Sequence, residues 1–207
     1  LWTATGVAGA GLAASVLHLG RPLRAWRIFL GLRRSWLSRE AIVFGAWFPA
    51  LAAAAMFPSE RLFAGAALGL GLVGVFCSVM IYADTGRQLW RFAPTSLRFF
   101  GSAAVLGLAL THPATGAVAV GIKLAAEVAL WRRAPALSRL VVGGPLRRIL
   151  ATRWLSGALA VGCLALASVE PGAGVIGLLA LALGELLDRR LFFQAVDPSR
   201  MPGIPAT

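Results

Sequence analysis

The residues best equipped for chemistry crowd into positions 18–40, HLGRPLRAWRIFLGLRRSWLSRE. This stretch carries six arginines, three aromatic rings and one of the chain's two histidines. His18 closes an apolar segment and directly precedes Arg21 and Arg24. An imidazole takes up and releases protons near neutral pH, and guanidinium groups hold negative charge beside it. A quinol releases two protons when it is oxidised, and a histidine beside arginines at a membrane edge suits that proton transfer. Tyr82 and Asp84, in the connector at 82–91, could hydrogen-bond a quinone oxygen or orient His18. Together with Trp36 these residues bound a candidate quinone site: His18, Arg21, Arg24, Trp36, Tyr82 and Asp84. Plainer roles remain open for each. His18 can be a hydrogen-bonded structural residue, the arginines can meet phospholipid headgroups, and Asp84 can cap a helix or pair with an arginine.

Lys123 and Glu127 form the second constellation. They sit inside an apolar run at i, i+4, so they share one helix face. A charge at the bilayer centre costs about 2.5–3.5 kcal/mol on insertion scales, which makes intramembrane ions functional suspects. An internal ion pair locking helices together and a proton path are both open. Glu185 is also intramembrane, and Arg189, one turn on, is its nearest partner on the same helix. Metal chemistry has little footing. Cys77 and Cys163 are two thiols in apolar runs, short of the four an iron–sulfur cluster commonly takes, and are expected to pack as small buried residues. Haem is not expected either, because His18 and His112 fall at opposite ends of the spans and cannot meet at one iron.

The elements that must position these groups are membrane helices. The chain is 58% apolar with a mean hydropathy of +0.79, and apolar runs long enough to span a bilayer recur along it. They predict seven spans at about 2–19, 40–57, 62–82, 96–112, 114–131, 153–169 and 172–187. The fold class is therefore all-α, a polytopic transmembrane bundle forming one domain over 1–207. Turn signals at Pro58-Ser59, Pro113 and Glu170-Pro171-Gly172 mark three tight hairpins. The chain opens on Leu1 rather than Met, so an earlier natural start is expected, and no signal peptide is recognisable.

Charge divides the connectors into two classes. The first, third and fifth connectors and the tail carry eighteen of the twenty basic residues, leaving only Arg61 and Lys123 elsewhere. By the positive-inside rule those connectors face the cytoplasm. The net charge of +12 thus reflects orientation and contact with lipid or a partner, and no nucleic acid is expected. Trp26, Trp36, Trp90, Trp131 and Trp154 fall at the same boundary, as an aromatic belt would. Glycines, with Gly65 and Gly69 at GxxxG spacing and Gly71 and Gly74 following, predict close helix packing. Pro22 can start a helix, and Leu23, Trp26, Leu30 and Leu37 then fall opposite most of the arginines. This predicts an interfacial amphipathic helix at about 21–37.

The run His18-Leu19-Gly20-Arg21-Pro22-Leu23-Arg24-Ala25-Trp26, then Ser35-Trp36-Leu37-Ser38-Arg39-Glu40, resembles the membrane anchor subunit of the dimethyl sulfoxide reductase family. Weaker similarities follow at Gly184-Glu185-Leu186-Leu187-Asp188-Arg189 and Arg190-Leu191-Phe192-Phe193. Such anchors have eight spans, so the resemblance implies one further span ahead of Leu1. It also implies menaquinone or ubiquinone as the redox partner and no haem. The partners it implies are an iron–sulfur electron-transfer subunit and a molybdopterin catalytic subunit, which hold the clusters and the molybdenum. The place it implies is the cell inner membrane. The family's quinol-associated histidine carries over to His18. Related anchors serve sulfite-oxidising enzymes, where electrons run toward quinone. The rival reading is a small secondary transporter using Lys123 and Glu127 as a coupling pair. It ranks lower because no internal repeat is present and Pro49 is the one proline within a span.

Overall fold

Apolar runs in a low-dielectric setting must satisfy every backbone N–H and C=O internally, and helices do so. In the computed structural model, which describes residues 1–17, 22–134 and 136–195 (side chains at 16, 17, 22–25 and 137 excepted), the described residues form helices and no strand. They divide into two units, Leu1–Ile81 and Tyr82–Thr207.

The first unit holds α1 (Trp2–Leu17), a 3-10 helix (Pro22–Gly31), α2 (Trp36–Met56) and nearly all of α3 (Arg61–Ala83). The segment expected as one amphipathic helix to Leu37 divides in two. The 3-10 helix ends at Gly31, and Ser35, extended, becomes the N-cap of α2, accepting a hydrogen bond from the Ser38 N–H at 3.3 Å. Arg39 ties the intervening turn down by donating to the Leu32 and Arg33 carbonyls at 2.9 and 3.0 Å. Trp36 and Leu37 therefore belong to α2. Pro49 sits inside α2, as membrane helices tolerate. Gly65 and Gly69 have open space where a Cβ would stand; the packing glycines of α3 are Gly71 and Gly74, which face the rings of Trp47 and Phe44 on α2.

The second unit holds a short 3-10 helix (Gln88–Trp90), α4 (Phe92–Thr111), α5 (Pro113–Arg132), α6 (Ala136–Gly143), α7 (Arg147–Leu166) and α8 (Pro171–Gln194). Pro113 and Pro171 start α5 and α8, where a missing N–H costs nothing. Among the described residues, six helices are long and apolar enough to cross a membrane: α2, α3, α4, α5, α7 and α8. The described part of α1 has 16 residues, a rise of about 24 Å.

Several boundaries differ from the sequence expectation for one reason. Helices α4, α7 and α8 run past charges that mark connector or tail in the sequence pattern. Arg98 and Arg153, counted among the basic connectors, lie well inside α4 and α7 and are 5% and 1% exposed. Each finds a carboxylate partner, so its charge does not end the helix. The connector at 132–153 also contains α6, whose Ser138 and Val142 are buried.

Small residues let the helices of this unit approach closely. Val105 and Ala109 of α4, Ala117 and Val120 of α5, Ala160 and Leu164 of α7 and Ala180 and Leu181 of α8 form one apolar core. A Cβ on Gly116 would lie 2.5 Å from the Ala109 Cα, so α4 and α5 meet backbone to backbone there.

Candidate functional site

The second unit buries a cluster of ions built from four helices. On α5, Lys123 and Glu127 share a face, and the Lys123 ammonium donates to Glu127 Oε1 at 2.5 Å. The same ammonium reaches both oxygens of Glu185 on α8 at 3.0 Å. From α7, Arg153 Nη2 donates to Glu127 Oε1 and Oε2 at 3.0 and 3.1 Å and to Glu185 Oε1 at 3.3 Å. From α4, Arg98 Nε pairs with Asp188 Oδ1 at 3.2 Å, and the Ser102 hydroxyl bonds Glu185. Asp188 Oδ2 lies 4.0 Å from the Lys123 ammonium.

The charges balance. Lys123, Arg153 and Arg98 face Glu127, Glu185 and Asp188, three cations to three carboxylates. All six are 6% exposed or less. Desolvating any one of them alone would be costly, and mutual pairing with additional hydrogen bonds offsets that cost. The cluster ends against the apolar core: Val120 lies one turn along α5 from Lys123, and Val105 lies one turn along α4 from Ser102.

The sequence expectation joins Lys123 to Glu127 and assigns Glu185 to Arg189. Lys123 does meet Glu127. Glu185 instead turns to Lys123 and Arg153 on other helices. Arg189 donates to the Arg98 carbonyl at 3.3 Å and lies 3.7 Å over the Phe99 ring. Arg98, Ser102, Arg153 and Asp188 stand outside that expectation. The usable signal is Asp188 at i+3 from Glu185, which presents a second carboxylate on the same face.

The candidate quinone residues are distributed differently. His18 and Arg21 lie outside the described residues, as does the Arg24 side chain. Trp36, in the first unit, packs edge-on against Phe76 at 5.9 Å, with the Arg39 guanidinium 4.2 Å over its ring. Nearby on α2, Glu40 bonds the Ser78 hydroxyl of α3. Trp26, Phe29 and Leu30 of the 3-10 helix are left exposed. Tyr82 belongs to the second unit, inside an aromatic cluster with Trp90, Phe99, Phe192 and Phe193 at centroid distances of 5.1–5.7 Å. The Trp90 indole N–H donates to the Phe192 carbonyl at 3.0 Å, and Arg87 lies 4.7 Å over the Trp90 ring. Asp84 is exposed just past α3. Both cysteines are free thiols; Cys77 is buried and Cys163 partly so.

Comparison with known proteins adds to this geometry. The family model described as DMSO reductase anchor subunit (DmsC) matches residues 4–118. A subunit of the sulfite dehydrogenase of Allochromatium vinosum is 40% identical over 126 residues, covering 51% of this chain and 39% of that protein. The match thus spans about two-fifths of that relative's length. No solved structure matches. The family match takes in the stretch at 18–40, which includes Trp36, together with Tyr82, Asp84, Arg98 and Ser102. It stops short of Lys123, Glu127, Arg153, Glu185 and Asp188.

Proposed function

The chain belongs to the family of DMSO reductase anchor subunits, and from that premise we propose that it is the quinone-reactive membrane anchor of a molybdopterin oxidoreductase complex. It is a multi-pass membrane protein. In the proposed complex it exchanges electrons between menaquinone or ubiquinone in the bilayer and an iron–sulfur subunit, which in turn wires a molybdopterin catalytic subunit. The observation that carries the reading is the family match over residues 4–118, which includes the His18–Trp26 motif. The likeness to a protein named as part of a sulfite dehydrogenase favours a sulfite-oxidising head, with electrons running toward quinone.

The quinone-site candidates of this reading are those the sequence named, His18, Arg21, Arg24 and Trp36 in the first unit and Tyr82 and Asp84 in the second. A quinone brings two-electron, two-proton redox chemistry to a polar ring on a long apolar tail. The exposed Trp26, which ends the motif, and Phe29 and Leu30 just after it in sequence suit that tail. His18 exchanges the proton, and Arg21 and Arg24 steady negative charge on the ring oxygen. The arginine-rich connectors face the cytoplasm of the inner membrane and receive the iron–sulfur subunit there, with exposed Arg33, Arg34, Arg147 and Arg148 as docking charges.

The balanced ion cluster supports a structural role in this scheme. Among the described residues Lys123 is held by two carboxylates and Glu127 by two cations, which favours structure over transport. Purification from native membranes tests the proposal. The expected result is a complex containing an iron–sulfur protein and a molybdenum subunit in fixed proportion. A chain that isolates alone, with no iron or molybdenum in the preparation, would remove the anchor role.

A further inference from the structure

We propose that a cavity at the arginine-rich end of the second unit holds the phosphate headgroup of an anionic phospholipid. The cavity, of about 250 Å³, lies between the start of α4 and the end of α5, with Arg91, Leu97, Arg98, Leu130, Trp131 and Arg133 in its wall. Both helices are membrane spans by length and composition, so their ends lie where lipid phosphates lie. Basic pockets between membrane helices at that depth suit anionic headgroups.

The donors are built for an anion. Arg91 and Arg133 are exposed, while Arg98 is buried, at 5% exposure. Its Nε is committed to Asp188 at 3.2 Å, and its guanidinium lies 5.5 Å from the centre of the Trp131 ring. Its Nη1 is buried and has no hydrogen-bond partner among the described residues. A buried donor left unmade costs stability, and a phosphate oxygen is the acceptor a guanidinium fits best. Glu127 also lines the cavity. Its carboxylate is already matched by Lys123 at 2.5 Å and Arg153 at 3.0 Å, so it does not cancel the charges of Arg91 and Arg133; Arg98, whose charge Asp188 balances, adds its unpartnered Nη1 donor. Leu97, Leu130 and Trp131 make the remaining wall apolar, which suits the glycerol and first acyl carbons of a lipid better than a hydrated free ion.

Native mass spectrometry of the purified protein, with any partners that accompany it, tests this after exchange into mixed phosphatidylglycerol and phosphatidylcholine. The wild type should retain phosphatidylglycerol selectively. Arg91→Gln combined with Arg133→Gln should reduce that retention about tenfold or more, leaving phosphatidylcholine adducts unchanged. Arg91→Lys with Arg133→Lys should restore much of it, because charge is kept while the planar fork is lost. Millimolar inorganic phosphate should leave the bound lipid in place. Equal retention of phosphatidylglycerol by the wild type and the glutamine variant would overturn the proposal, as would equal retention of the two lipids by the wild type. Full displacement by inorganic phosphate would also overturn it, in favour of a small-anion site.

Discussion

The ammonium of Lys123 lies 2.5 Å from Glu127 on its own helix and 3.0 Å from Glu185 on α8. One side chain thus joins two helices through two carboxylates. The third helix enters through Arg153, which bridges the same two carboxylates from α7. Because three cations face three carboxylates, the cluster tolerates loss of a matched pair far better than loss of one member.

That balance gives the first prediction. Lys123→Met leaves three carboxylates facing two cations in a buried site and should destabilise the folded protein by about 3–5 kcal/mol. Lys123→Met with Glu127→Leu restores the match and should recover most of the loss. Thermal unfolding of the detergent-solubilised protein, followed by size-exclusion profile, measures both. If the double variant is stable yet blocks quinone-linked turnover, the pair carries protons rather than structure alone.

Close helix approach gives the second. A Cβ on Gly116 would stand 2.5 Å from the Ala109 Cα and 2.7 Å from its nitrogen. Those are backbone atoms, so the two helices must separate, and Gly116→Ala should cost about 1–3 kcal/mol. Gly121→Ala, on the same helix with nothing within 4 Å of its Cβ position, should be neutral or slightly stabilising. Equal thermal midpoints for the two variants would mean that α4 and α5 do not meet at Gly116.

These two sites differ in how far the sequence reveals them. Lys123 and Glu127 are charges in an apolar run at helical spacing, so both the anomaly and the pairing can be read directly. Arg98 and Arg153 cannot be read that way. Each lies near the edge of an apolar run, where an arginine ordinarily marks the water boundary, and only tertiary packing reveals the carboxylate that draws it inside. Glu185 misleads for a related reason. The i, i+4 rule finds partners on the same helix, here Arg189, whereas the partners lie on α5 and α7. Gly65 and Gly69 have the spacing of a packing motif, but which glycines meet a neighbour depends on helix rotation, and on α3 these are Gly71 and Gly74. The helices themselves are legible because Pro58, Pro113 and Pro171 punctuate long apolar runs.

Orientation gives the third prediction. Arg139, Arg147 and Arg148, in and beside α6, are exposed and belong to the arginine-rich set that should face the cytoplasm. Arg139→Cys, in a background carrying Cys77→Ser and Cys163→Ser, should resist a membrane-impermeant maleimide in sealed cells. It should react once the membrane is opened. Prompt labelling of sealed cells would reverse the orientation.

The most direct test of the quinone-reactive role is the split between two assays in His18→Ala. The variant should assemble with its partners and keep nearly full activity with a soluble dye that bypasses the membrane subunit. Turnover with quinone should fall by about a hundredfold or more, the scale of a lost general acid–base group. Arg24→Ala should show a milder version of the same split, mainly as weaker quinone affinity. Normal quinone-linked turnover in His18→Ala, with assembly intact, would contradict the account and return His18 to a structural role.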